Sequence, residues 1–196
     1  MTETDKAALL GKAVVIGASA GAVQALLKIL PALPSDFSWP VLIVVHVPPD
    51  RSNALVALYK ARCQITVKEA EDKEQASGST VYFAPSDYHL LIEKDGCLAL
   101  SADELVNHSR PAIDILMETA ADAYGDGLTA IILTGANGDG AAGLKAVVDA
   151  GGLAIVENPA TAQSSTMPMS ALQACPAARI MTIDEIASYL RNLPGL

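Results

Sequence analysis

The stretch VVIGASAGAVQALLKIL, residues 14–30, changes period at a single turn. Its apolar start, preceded by Ala13 and ending at Gly17, fits a strand buried on both faces, as in a parallel sheet covered by helices. Beyond the turn, Val23, Leu26, Leu27 and Leu30 fall at i, i+3, i+4 and i+7, one apolar face of a helix, and Pro31 and Pro34 mark its end. A strand feeding directly into a helix is the opening βα unit of an α/β fold. The turn itself, Gly17-Ala18-Ser19-Ala20-Gly21, sets one hydroxyl among residues with almost no side chain.

The alternation continues outward from this unit. VLIVVH (41–46) reads as a second buried strand, closed by Pro48-Pro49, and Leu55, Leu58 and Tyr59 resume a helical period. ITVKEA (65–70), VYFAP (81–85), TAIILT (129–134) and LAIVE (153–157) read as further strands. HLLIEKDGCLAL (89–100) reads as a hairpin, with Asp95-Gly96 suited to a two-residue turn. Helices are expected after Pro111, with Ile113, Leu116 and Met117 on one face, and at Leu144, Val147 and Val148. TIDE (182–185) is a capping box that opens the last helix. The expected fold is α/β: a doubly wound, mostly parallel sheet flanked by helices, with a small β-hairpin, in one domain spanning 13–193 behind an N-terminal tail of residues 1–12. In such sheets ligands meet the carboxyl ends of the strands. Three of those ends carry chemistry: Ser19, His46 and the loop 135–143.

Composition narrows the function. Of 196 residues, 51% are hydrophobic and only 4% aromatic, so the core is built from Val, Ile, Leu and Ala. A net charge of −9 without a Lys/Arg cluster argues against a binder that tracks nucleic-acid phosphates. Cys63, Cys97 and Cys175 are odd in number and widely spaced, which fits neither a disulfide framework nor a zinc knuckle. The start of the chain has no basic stretch leading into an apolar one, and no apolar run reaches the ~18 residues of a membrane span. The expectation is a cytoplasmic protein without membrane insertion.

Residues 17–21 match G-x-S-x-G, a turn that pushes a serine outward while a helix N-terminus offers N–H groups to a developing oxyanion. The plainer reading makes Ser19 an N-cap in a turn of small residues. A nucleophilic serine needs a base. His46 ends the second buried strand, which lies beside the first if sequential strands pair. His89 opens the hairpin and reads as structural, and His108, in VNHSRP, as a surface residue. Asp139 is the carboxylate of the loop LTGANGDGAAG. From there it can orient His46 through Nδ1–H and leave Nε2 to the serine; alternatively it caps the following helix. The same loop holds a rival signal. Gly138-Asp139-Gly140-Ala141-Ala142-Gly143 satisfies G-x-G-x-x-G, with Glu157 near the offset of a ribose-binding acid, so a dinucleotide-binding protein is the alternative.

Taken together, these motifs resemble the catalytic domain of the chemotaxis protein-glutamate methylesterase (CheB-type) family. IGASAG, VHVP and ILTGANGDGAAG resemble its serine, histidine and aspartate motifs, and EAEDKE, VYFAPSDYHLL, VNHSRPAIDIL and MPMSAL follow its order and spacing. The resemblance implies a Ser-His-Asp triad with Ser19 as nucleophile, His46 as base and Asp139 as its orienter. It implies hydrolysis of glutamate γ-methyl esters on chemoreceptors or other methylated proteins, often with deamidation of glutamine, and neither metal nor organic cofactor. Backbone N–H groups at Ala20 and Ala136 are oxyanion-hole candidates. Asn107 and Arg110 are candidates for shaping the cleft mouth or contacting acidic receptor segments, or else a brace before the helix. The sequence departs from the family pattern at Ala20 and Ala22, in place of the threonine and glycine of ASTGG, at Val45, in place of glutamine, and at Ala136-Asn137-Gly138, in place of MGN-like residues. No phosphorylatable receiver domain is recognisable, so a separate regulatory protein is a candidate partner. A non-catalytic protein-binding module of the same fold is the remaining alternative.

Overall fold

The computed structural model describes residues 10–46 and 52–193. Seven strands form one parallel sheet: β1 (Ala13–Ala18), β2 (Val41–Val45), β3 (Thr66–Glu69), β4 (Thr80–Phe83), β7 (Leu128–Ile132), β8 (Leu153–Glu157) and β9 (Arg179–Met181), in the order β3-β4-β2-β1-β7-β8-β9. A separate antiparallel pair, β5 (His89–Ile92) and β6 (Leu98–Ser101), forms the small hairpin. The helices are α1 (Ala22–Ile29), α2 (Ser52–Lys60), α3 (Ile113–Tyr124), α4 (Ala141–Asp149), α5 (Thr166–Ala174) and α6 (Ile183–Arg191).

The apolar strands are unbroken because both faces of the sheet are covered. All six residues of β1 and all five of β2 and β7 are buried. Their side chains alternate between two cores. Ala13 and Val15 join Leu42, Val44, Ile113, Met117, Leu144 and Met167 beneath α3, α4 and α5. Val14 and Ile16 join Ile43, Val45, Leu26, Tyr59 and Ile186 beneath α1, α2 and α6. Each fully buried Val, Ile or Leu stabilises the fold by about 1.5–3 kcal/mol relative to exposure.

The sheet grows from β1 outward through β2, and the later strands β7 to β9 add on the opposite side of β1. The order therefore reverses between β1 and β7. At such a point the connections leaving neighbouring strands diverge to opposite faces and open a crevice at the carboxyl edge.

Several details differ from the sequence reading. The hairpin closes through three residues, Lys94 to Gly96, between a Glu93/Cys97 pair, with Gly96 at φ +84. Glu93 N–H donates to Cys97 O at 2.8 Å and Gly96 N–H to Glu93 O at 2.8 Å, the pattern of a turn followed by a left-handed glycine. Asp95 keeps a negative φ, so the two-residue turn does not form. Val148 faces solvent, while Leu144 and Val147 carry the buried face of α4. Strand β9 escapes the pattern because only Met181 of its three residues is even half buried. Helix α5 holds Pro168 in its first turn, where a missing N–H breaks no helical bond. The capping box at Thr182 and Glu185 forms as read. Residues 1–9 of the tail and Pro48-Pro49 lie outside the described residues. Among the described residues no helix is long and apolar enough to cross a membrane.

Candidate active site

The turn after β1 is held from below. Ser19 N–H donates to Thr134 O at 2.9 Å, and the Thr134 hydroxyl donates to Ala20 O at 2.8 Å. Thr134 is fixed in turn by its own N–H on Glu157 Oε2, 2.7 Å, and by Ser164 N–H on its hydroxyl, 2.9 Å. Gly21, at φ +88, is the N-cap of α1, with no side-chain cap. A Cβ there would meet Gln163 and Thr134 at 2.9 Å, so the position is closed to other residues on both conformational and steric grounds. Ser19 is therefore not the cap, and its hydroxyl makes no hydrogen bond among the described residues.

His46 follows β2 as Ser19 follows β1. Ala18 pairs with Val45 in register, and His46 N–H donates to Ala18 O at 3.1 Å. Ser19 and His46 thus leave adjacent parallel strands side by side, about 5 Å apart along the sheet. Imidazole Nε2 lies 2.9 Å from Asp139 Oδ2. Imidazole Nδ1 lies 3.2 Å from the Asn137 side-chain amide nitrogen. Asn137 Oδ1 accepts the Asp139 N–H at 3.1 Å, which leaves the NH₂ end to face the ring. Nδ1 therefore presents a lone pair, and Nε2 carries the hydrogen donated to Asp139. This reverses the orientation expected from sequence, where Nδ1–H was to meet the acid. The cause is positional: the loop after β7 brings Asn137 to one ring nitrogen and Asp139 to the other.

Asp139 is buried and sits at the start of α3. Its Oδ2 also accepts the Ile113 N–H at 2.6 Å. Oδ1 accepts from the Asn107 amide at 2.7 Å, Gly140 N–H at 3.0 Å and Asp114 N–H at 3.2 Å. Asp139 thus caps α3 rather than the helix that follows it in the chain. Asp114, in the first turn of α3, returns the contact: its Oδ1 accepts Gly143 N–H of α4 at 2.7 Å. Asn107 bridges the two acids, donating to Asp114 Oδ2 at 2.7 Å. It reaches them from a tight turn in which Asn107 and His108 both have positive φ, 51 and 60, and Val106 and Ser109 pair through their backbones. Burial acts to raise the Asp139 pKa, but the hydrogen bonds from His46, Ile113 and Asn107 outweigh it and hold the carboxyl below its usual range. Asp114 moves the other way, raised by burial and by the neighbouring Asp139 against the donors Gly143 and Asn107.

The serine turn, the strand-end histidine and the buried acid occupy the carboxyl edge of β1, β2 and β7. Residues 14–190 match the CheB methylesterase family. The chain belongs to that family. Its similarity to a Leptospira interrogans protein, provisionally named as a protein-glutamate methylesterase/protein-glutamine glutaminase, is 46% identity over 182 residues, 93% of this chain and 94% of that protein. The protein-glutamate methylesterase/protein-glutamine glutaminase 3 of Geobacter metallireducens is 36% identical over 94% of this chain but 52% of its own length, so this chain spans about half of that relative. The crystal structure of the Thermotoga maritima CheB methylesterase catalytic domain superposes with a TM-score of 0.89 at 35% identity, covering 94% of this chain and 99% of that one.

Within this CheB methylesterase fold the remaining sequence candidates fall as follows. Neither Ala20 N–H nor Ala136 N–H has a backbone partner among the described residues, and both residues are exposed. The Arg110 guanidinium is committed to protein groups: Asp87 Oδ1 at 2.7 Å and the carbonyls of Ala102 and Asp103 at 2.9 and 2.8 Å. His89 is buried between Glu104 O, 3.0 Å from Nε2, and the Ala112 N–H that donates to Nδ1 at 3.1 Å, tying the hairpin to the start of α3. His108 is exposed. The G-x-G-x-x-G loop has its Gly140 and Gly143 donors engaged by Asp139 and Asp114, so a pyrophosphate there would have to displace two buried carboxylates. Glu157, the supposed ribose acid, is buried on Thr134 N–H. Among the described residues no group of three His, Cys, Asp or Glu side chains is placed to hold a metal ion. Sequence reading did not single out Asn137, Asp114 or Thr134 for the site. Asp114 carried a signal, an acid in the first turn of a helix whose other early residues are apolar; Asn137 and Thr134 carried none beyond adjacency to the glycine loop.

Proposed function

We propose that the chain hydrolyses glutamate γ-methyl esters on a protein substrate, with Ser19, His46 and Asp139 as its triad. The observation that carries this reading is the contact of buried Asp139 with His46 Nε2, which leaves Nδ1 as the base nitrogen of a histidine that ends the strand paired with the serine strand. Ser19 Oγ forms a bond to the ester carbonyl carbon as its proton passes to His46 Nδ1, and the carbonyl π electrons move onto oxygen. The oxyanion is met by N–H groups at Ala20 and Ala136. Collapse of the intermediate expels the methoxy group, which takes the proton from Nδ1 and leaves as methanol. A water then gives its proton to Nδ1, attacks the acyl-enzyme carbonyl, and releases the glutamate acid with Ser19 reprotonated. Asp139 stays ionised and supports the imidazolium through Nε2–H. A positioned base supplies about 10²–10⁴ in rate and an oxyanion donor about 10²–10³.

The relatives' names pair this ester hydrolysis with glutamine deamidation, which the same steps accomplish with ammonia in place of methanol. The substrate class we assign is a methylated chemoreceptor or similar methylated protein, met in the cytoplasm. Asn107 is assigned to hold Asp139, and Arg110 to brace the segment before α3. The test is methanol release from methylated chemoreceptor fragments, run beside Ser19→Ala. Release by the wild type and none by the variant is expected. Equal release by both removes Ser19 as nucleophile.

A further inference from the structure

One lone pair in this site has two claimants. The proposed esterase reaction needs His46 Nδ1 to take the Ser19 proton, yet the Asn137 amide already donates to it at 3.2 Å. That distance is at the long end of hydrogen-bond range, and a neutral bond of this kind contributes about 0.5–1.5 kcal/mol net, so it is readily exchanged. The other end of the amide is fixed: Oδ1 accepts the Asp139 N–H, which anchors Asn137 to the same loop that holds the acid. When the serine hydroxyl turns onto Nδ1, the Asn137 N–H₂ loses its acceptor and must find another. The acceptor that appears at that moment is the carbonyl oxygen, which gains charge on the carbon that Ser19 attacks. The nitrogen starts within one hydrogen bond of Nδ1, and Nδ1 is within one hydrogen bond of Oγ during attack, so the amide borders the place where the oxyanion forms.

Resting on the esterase reading above, we propose that the Asn137 side-chain amide is a catalytic oxyanion donor, parked on the base in the free enzyme and released to the developing oxyanion when Ser19 engages His46. It adds a mobile donor to the backbone N–H groups at Ala20 and Ala136, and it keeps Nδ1 occupied until substrate is present.

The test uses Asn137→Ser and Asn137→Ala in the full chain, with a peptide containing glutamate γ-methyl ester as substrate. The serine variant retains an oxygen for the Asp139 N–H but is too short to reach Nδ1, so it guards against simple loss of the loop. Three quantities are read: kcat, KM, and the imidazole ¹⁵N spectrum. The expected result is a fall in kcat of about 10²–10³ in both variants. KM should stay unchanged, and the ring should remain in the Nε2–H form held by Asp139. Wild-type or higher kcat in Asn137→Ser overturns the proposal and makes the amide a mere plug on the base. A fall in kcat accompanied by loss of the Nε2–H form also overturns it, since Asn137 would then only orient the ring. Ser19→Ala separates the two readings. Hydrolysis surviving in Ser19→Ala sinks the esterase assignment and this inference with it. Hydrolysis lost in Ser19→Ala but intact in both Asn137 variants sinks this inference alone.

Discussion

Asp139→Asn exchanges one oxygen for an NH₂ in a carboxylate that accepts five hydrogen bonds, two on Oδ2 and three on Oδ1. The new amide keeps the most contacts with its oxygen toward Asn107, Asp114 and Gly140. Its NH₂ then faces His46 Nε2 and the Ile113 N–H. Two consequences follow. His46 can meet the NH₂ only by turning Nε2 into an acceptor, which moves its hydrogen to Nδ1, where the serine needs a lone pair. In serine-protease triads the same exchange lowers kcat by about 10⁴, and a fall of about 10²–10⁴ is expected here. The Ile113 N–H is left buried without a partner, at about 1–3 kcal/mol. For a domain of this size that corresponds to a Tm lower by about 2–4 °C per kcal/mol. The stability difference also has a pH signature. The folded Asp139 pKa is depressed, so its contribution is fully present above the unfolded value of about 3.9 and is lost as pH falls through the lower folded value. The two proteins should therefore converge in Tm under strongly acidic conditions. The assays are ester turnover at neutral pH and thermal melts across the acid range. Turnover within tenfold of wild type, in a variant that melts normally, would refute the assignment of Asp139 as the acid that orients His46.

Three further outcomes are expected. Ser19→Ala should abolish turnover while leaving the melt unchanged, since the hydroxyl makes no hydrogen bond among the described residues; a Tm drop would show that the serine is structural. Glu157→Gln should leave Tm at neutral pH equal or higher: burial, only partly offset by the Thr134 N–H, raises the Glu157 pKa, so its ionised form opposes folding above that raised value. The advantage should fade as pH falls through the raised folded pKa and vanish below the ordinary glutamate value of about 4.3, and a clear loss of Tm at neutral pH would contradict it. Gly143→Ala should destabilise by about 1–3 kcal/mol, because the added Cβ would meet Met117 Cβ at 2.7 Å and the Asp114 backbone at 3.0 Å, forcing α3 and α4 apart; an unchanged melt would show that the contact relaxes freely.

The strands of the central sheet were legible because burial on both faces removes polar residues from them, as in β1, β2, β7 and β8. β9 was not, since a three-residue edge strand with exposed Arg179 and Ile180 has no apolar period to detect. The same limit applies to the site. The candidates Ser19, His46 and Asp139 were chosen by type and by place at strand ends. Which nitrogen of His46 faces Asp139 depends on how the 135–143 loop presents Asn137 and Asp139 to the ring, and the glycines and alanines around those two residues do not fix that. The bridge through Asn107 was hidden for a related reason. It requires two successive residues at positive φ, neither of them glycine, and a contact across 32 positions of the chain.

The exchange of caps between α3 and α4 gives Asp139 a structural duty that is independent of the proposed turnover. It holds the first N–H groups of α3 while Asp114 holds α4, and both helices lie over the same core. A descendant of this chain that no longer hydrolysed anything could discard Ser19 and His46 at little expense to its fold, but would keep Asp139 and Asn107 to remain folded. Retired copies of this enzyme should therefore be recognised by an orphaned acid: an intact ANGDG loop facing a strand end that has lost its imidazole.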